Sequence, residues 1–139
     1  MQQLLHTPEG VRDYYNGECA AKLVTGSKLA HVFGLYGFQS IQTPTFEYFD
    51  IFNAERGSVA SKEMYKFFDR DGETMVLRPD FTPSIARCAA KYFGQEKLPI
   101  RLCYQGNIYI NNLSYQGRLK ESTQAGAELI GDDSLAADA

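Results

Sequence analysis

Between Glu18 and Tyr36 the apolar residues Cys19, Leu23, Ala30 and Phe33 recur at three-, four- and seven-residue intervals, with Lys22, Ser27 and Lys28 largely between them. That period is one stripe of an amphipathic helix, closing near Gly37. Phe38 to Thr43 is then aromatic and β-branched and stops at Pro44, which lacks the donor a central strand needs. It predicts a strand directly after the helix. Ahead of the helix, Thr7 to Tyr15 mixes Pro8, Gly10 and Asp13 with Val11 and aromatic rings, as an ordered loop does.

Met64 to Asp69 and Glu73 to Leu77 alternate as strands around Arg70-Asp71-Gly72, whose Asp and Gly supply tight-turn chemistry. A partly antiparallel sheet follows. After Arg78-Pro79-Asp80, Thr82 is placed to cap a helix with Pro83 at its first position. Ile85, Ala86, Ala89, Ala90 and Phe93 form its apolar stripe and Gly94 its stop. Two long extended runs, Ile100 to Asn111 and Glu121 to Ile130, are joined through Asn112, Ser114, Gln116 and Gly117 and predict an antiparallel pair at the centre of the sheet. Asp132-Asp133-Ser134 resembles a helix start, yet only five residues follow, below the ~12–15 an isolated helix needs. Nothing repeats internally, and residues 1–139 are expected to be an incomplete domain.

Composition narrows the function classes. The 139 residues are 44% hydrophobic, enough to bury a core. A net charge of -3 leaves little with which to neutralise phosphates, so tRNA binding by this segment is not expected. Cys19, Cys88 and Cys103 are odd in number and widely spaced, as buried thiols in a reducing cytoplasm are. No apolar run approaches the ~20 residues of a membrane span, and the amino terminus lacks a signal-like pattern. The expectation is a soluble cytoplasmic protein.

Two places can carry chemistry. Along Glu121 to Ile130, the residues Ser122, Gln124, Gly126 and Glu128 share one face, and Thr123, Ala125, Ala127 and Leu129 share the other, expected to be the core side. The polar face either meets water or floors a pocket in which Gly126 leaves room and Gln124 and Glu128 meet a cationic, hydrogen-bonding guest. The second place is Leu77-Arg78-Pro79-Asp80-Phe81-Thr82, where a strand gives way to a helix. Asp80 there can pair with an ammonium group or simply with Arg78. Phosphate-cradling glycine loops, H-x-x-x-H pairs and G-x-S-x-G elbows are absent, and His6 and His31 stand far apart. Neither a metal site nor a cofactor is predicted.

Taken in order, these segments resemble the histidyl-tRNA synthetase branch of the class II aminoacyl-tRNA synthetases over nearly the whole chain. Thr7-Pro8-Glu9-Gly10-Val11-Arg12-Asp13 is similar to that branch's P-x-G-x-x-D opening, and Phe38 to Glu47 to class II motif 1, which builds the dimer interface in the family. Leu77 to Thr82 is similar to the L-R-P-E segment, and Gln124-Ala125-Gly126-Ala127-Glu128 to the Q-x-G-x-E segment, both lining the family's histidine pocket. The resemblance implies an α+β fold, a mainly antiparallel sheet flanked by helices, of which this chain is the amino-terminal part. It also implies self-association through the motif 1 region, and a histidine site in which Asp80, Thr82 and Gln124 hold the amino group and Glu128 addresses the imidazole, with Arg118 on the loop nearby.

One departure stands out. Where the synthetase motif 2 strand carries Arg and then Glu, this chain has Ile110 and Asn112. Adenylate formation needs a cation fixed against the α-phosphate, and isoleucine donates nothing; Arg118 and Lys120, on a loop, are poorly placed to replace it. A kept histidine pocket with a lost nucleotide clamp resembles the ATP phosphoribosyltransferase regulatory subunits, non-aminoacylating paralogues that partner a short catalytic subunit. That resemblance implies a protein without catalysis of its own, with histidine as effector. The alternatives are an active histidyl-tRNA synthetase fragment and a structural domain with a vestigial pocket.

Overall fold

The computed structural model describes residues 2–53, 59–112 and 117–137. Helix α1 (Asn16–Leu35) forms where the apolar period places it, and Cys19, Ala30 and Phe33 of the predicted stripe lie on its contact face. Gly26 is its buried residue, and a Cβ there would come 2.1 Å from Gln105 Nε2. The missing side chain lets the helix lie directly on strand β5 (Ile100–Tyr109). Half-buried Cys19, Lys22 and Phe33 flank Gly26, and Ala30 lines a cavity with Phe33, Cys103 and Ala125, whereas Leu23 is 67% exposed. The contact face is thus the predicted stripe, centred on a residue that permits close approach and without Leu23.

Strand β1 (Gln39–Ser40) follows α1 and pairs with β5 in parallel, Gln39 opposite Leu102. Strand β6 (Glu121–Ile130) runs antiparallel to β5, from Ile100 opposite Ile130 to Tyr109 opposite Glu121. The order is β1-β5-β6, so among the described residues β6 is an edge strand and only β5 is central. Ser114 and Gln116 of the predicted connection lie outside the described residues.

A second sheet is wholly antiparallel, with β2 (Phe46–Tyr48), β4 (Thr74–Leu77) and β3 (Lys66–Phe68) in the order β2-β4-β3. The β3–β4 turn is built as its residues predict: Asp69 Oδ1 accepts from the amides of Asp71 and Glu73, each at 2.9 Å, and Gly72 takes a φ of +88°. On the inner face Val76 joins Phe52, of the short helix α2 (Asp50–Asn53), and Met64 in a small core. Glu47 is buried beside them and meets Arg87 of helix α3 (Thr82–Tyr92) at 2.7 Å, which pushes the guanidinium pKa up. Phe46 and Tyr48, on either side of Glu47, stay exposed.

The main core lies between α3 and the β5–β6 pair: Phe81, Ile85, Leu102 and Tyr104, with Ile100, Ile108 and Ile130 around them. Ser84 and Ala89 complete the inner side of α3, whereas Ala86 and Ala90 are exposed, so the predicted stripe is narrower than drawn. Leu102 and Tyr104 lie opposite Glu128 and Gly126. The core therefore occupies the polar face of β6, and Thr123 and Ala127, expected to be inward, are exposed while Ala125 faces α1. The polarity of one strand did not reveal which face its neighbour fills. Of the three thiols only Cys103 is fully buried; Cys19 and Cys88 are half-buried, and none is bonded to another. No described helix is long and apolar enough to cross a membrane.

Candidate functional site

The two places singled out in the sequence come together at the amino-terminal end of α3. Thr82 is the first helical residue, not the cap: Phe81 occupies the cap position without a side-chain bond, and Thr82 Oγ1 instead donates to Glu128 Oε1 at 2.7 Å. Asp80 Oδ1 accepts from the Phe81 amide at 2.7 Å, which fixes its carboxylate beside the helix start. Arg78 directs its donors to the carbonyl oxygens of Thr43, Pro44 and Asn107. The predicted alternative for Asp80 is therefore not needed to satisfy the guanidinium.

Between these groups stands a residue the sequence reading passed over. Tyr104, 8% exposed, stacks on Phe81 with ring centroids 4.4 Å apart and accepts from Gln124 Nε2 at 3.3 Å through its hydroxyl. Burial, then the carboxylates of Glu128 and Asp80, push the Tyr104 phenol pKa up, while a hydrogen bond with Thr82 works against them. The phenol is thus neutral and able to donate, with Asp80, Thr82, Gln124 and Glu128 all around it. The room expected at Gly126 for a ligand is taken by Tyr104 instead: a Cβ there would stand 2.5 Å from the Tyr104 hydroxyl. The signal for Tyr104 was its position opposite Gly126, legible only once the register of β5 and β6 is known.

The cluster is rich in acceptors. Two carboxylates face one phenol, and Gln124 Oε1 is buried without a hydrogen-bond partner among the described residues. Such a set suits a guest with positive charge and several N–H donors. No group of three or more His, Cys, Asp or Glu among the described residues is placed to hold a metal ion. Arg118 is exposed, precedes β6, and makes no described contact with the cluster. Ile110 prolongs the ladder, its amide donating to the Lys120 carbonyl at 2.9 Å, and Asn112 Nδ2 reaches the Leu119 carbonyl at 3.4 Å. Neither offers a phosphate a cation.

The histidyl-tRNA synthetase family model matches residues 10–139. This chain belongs to that family. An ATP phosphoribosyltransferase regulatory subunit of Clostridium novyi (strain NT) is 42% identical over 134 residues, 96% of this chain and 32% of the relative. A solved structure described as an ATP phosphoribosyltransferase regulatory subunit/histidyl-tRNA synthetase from Bacillus halodurans C superposes with a TM-score of 0.86 at 34% identity, over 97% of this chain and 35% of that one. The apo histidyl-tRNA synthetase of S. aureus superposes with a TM-score of 0.78 at 27% identity, over 96% of this chain and 31% of that one. The fold is accordingly the class II synthetase-like α+β fold. The chain spans about a third of the length of the curated relatives it matches, 32% of the Clostridium novyi protein.

Proposed function

We propose that this chain belongs to a regulatory subunit of ATP phosphoribosyltransferase, the enzyme that opens histidine biosynthesis, and that it senses histidine without catalysis of its own. The observation that carries this reading is the joining of Thr82, Glu128, Tyr104 and Gln124 around one acceptor-rich floor, on a strand pair whose motif 2 positions are Ile110 and Asn112. Asp80, Thr82 and Gln124 hold the ammonium group of the ligand, and Glu128 addresses the imidazole. The relatives named as regulatory subunits support the same assignment.

Regulation follows by linkage. Histidine that binds one state of the assembly more tightly shifts the population toward it, and so alters activity in a partner catalytic subunit. Self-association involves the motif 1 region, Phe38 to Glu47, and the assembly is cytoplasmic. Calorimetry with histidine and ATP-dependent pyrophosphate exchange on the full-length protein test the reading: histidine binds and exchange is absent. Robust exchange would instead establish the second reading, an active histidyl-tRNA synthetase, which the likeness to the S. aureus enzyme favours.

A further inference from the structure

Arg78 is 7% exposed, and its guanidinium meets backbone carbonyls and an aromatic ring. Nε donates to the Asn107 carbonyl at 2.8 Å, and Nη1 to the carbonyls of Thr43 at 2.8 Å and Pro44 at 3.1 Å. The Arg78 main chain repeats the pattern: its amide donates to Thr45 at 2.9 Å and its carbonyl accepts from Tyr109 at 3.0 Å. One residue therefore ties the segment leading into β2 to the carboxy-terminal end of β5, across the junction of the two sheets. A buried guanidinium is tolerated only when its donors are matched, so this geometry is tightly held.

The clamp continues into the ligand cluster. The Arg78 guanidinium carbon lies 4.2 Å from the Phe81 ring centroid, and Phe81 in turn stacks on Tyr104 at an interplanar angle of 17°. Gly106 makes the column possible, because a Cβ there would stand 2.7 Å from Arg78 Nη2 and 2.8 Å from Phe81 Cζ. The geometry assigns Arg78 as a positioning residue that, through Phe81, sets the Tyr104 hydroxyl in the ligand site and makes ligand affinity depend on how the two sheets are joined. This rests on the reading of the cluster as the histidine site.

The test uses the full-length protein as Arg78→Lys, which keeps the charge but loses the planar fork. Histidine affinity is read by calorimetry, and the Tyr104 ring by NMR with ¹³Cζ-tyrosine, assigned through Tyr104→Phe. Arg78→Lys weakens histidine by about tenfold, the loss of one hydrogen bond to a charged group, and shifts the Tyr104 resonance. The double variant Arg78→Lys/Tyr104→Phe binds no worse than Tyr104→Phe alone. Unchanged affinity with an unmoved resonance, or losses that multiply, overturns the assignment. A wild-type protein that ignores histidine sinks the reading of the cluster, and the resonance alone then decides the positioning role. Should Arg78→Lys not fold, Gly106→Ala presses on the same guanidinium and ring from the opposite side; a folded Gly106→Ala with an unmoved Tyr104 resonance is equally fatal.

Discussion

Gly126→Ala tests whether the Tyr104 hydroxyl belongs to the binding site. The added Cβ would stand 2.6 Å from Tyr104 Cζ, against the ~3.5 Å of an ordinary carbon contact, so the ring must give by about 1 Å. It cannot move toward Phe81, already stacked at 4.4 Å with Arg78 behind it. Overpacking of this kind costs ~1–3 kcal/mol, and replacing a strand glycine returns ~0.5–1 kcal/mol, which leaves a destabilisation of about 0–2.5 kcal/mol. Affinity suffers more, because a misplaced hydroxyl loses a hydrogen bond to a charged ligand, ~1.5–3 kcal/mol or about tenfold and upward. Urea unfolding and histidine calorimetry on the full-length protein separate the two. A small drop in midpoint with at least tenfold weaker binding is expected. A folded variant with wild-type affinity would refute the placement of Tyr104 in the site.

Thr82→Val removes the 2.7 Å hydrogen bond to Glu128 but no helix cap, so the ~1 kcal/mol cap penalty is absent from thermal unfolding while histidine binding weakens. Glu47→Ala strands Arg87, which is 29% exposed against 7% for Glu47; a cost of ~1–3 kcal/mol in urea is expected, and no change would mark the pair as incidental. The pH dependence has a definite sign. Tyr104 is raised above its ordinary 10.0 by burial and by Glu128 and Asp80, so the unfolded chain releases this proton first. Its contribution is whole below pH 10 and falls as pH climbs toward the folded pKa. Tyr109, raised by burial and Glu121, adds to the same loss, and Tyr104→Phe should flatten the alkaline limb of stability against pH.

The elements were legible because their signals are local. The turn at Asp69 to Gly72 is dictated by Asp and Gly, and the β5–β6 pair by two long extended runs. What failed were inferences about which side chain a neighbouring element places against a given face. The apolar count found the contact face of α1 but not Gly26 at its centre, where Gln105 occupies the space a side chain would fill. The core face of β6 is decided by Leu102 and Tyr104 on another strand. Thr82 has the composition of a cap, yet Glu128 draws its hydroxyl away. Asp80, Gln124 and Glu128 could be singled out because polar residues stand in register on one strand and at one helix start; Tyr104, which joins them in the cluster, was passed over because an aromatic residue in a strand reads as core, which it also is.

The register also shows how far the cluster around Tyr104 stands from positions 110 and 112. Lys120, opposite Ile110 through its carbonyl, is four residues before Gln124 and eight before Glu128, so at ~3.3 Å per residue the two regions are roughly 13–26 Å apart along the strand. Ile110 contributes to the ladder through its backbone alone, which any residue but proline can do. Asn112 reaches a backbone carbonyl rather than the cluster. Changes at those positions therefore leave the Thr82–Glu128 and Gln124–Tyr104 bonds untouched. Conversely, Gly126 and Gly106, which make room for Tyr104 and for the Arg78–Phe81 column, impose nothing on the nucleotide end. On the proposed reading, this separation lets positions 110 and 112 change while the cluster around Tyr104 is kept, which is the combination a sensor without catalysis requires.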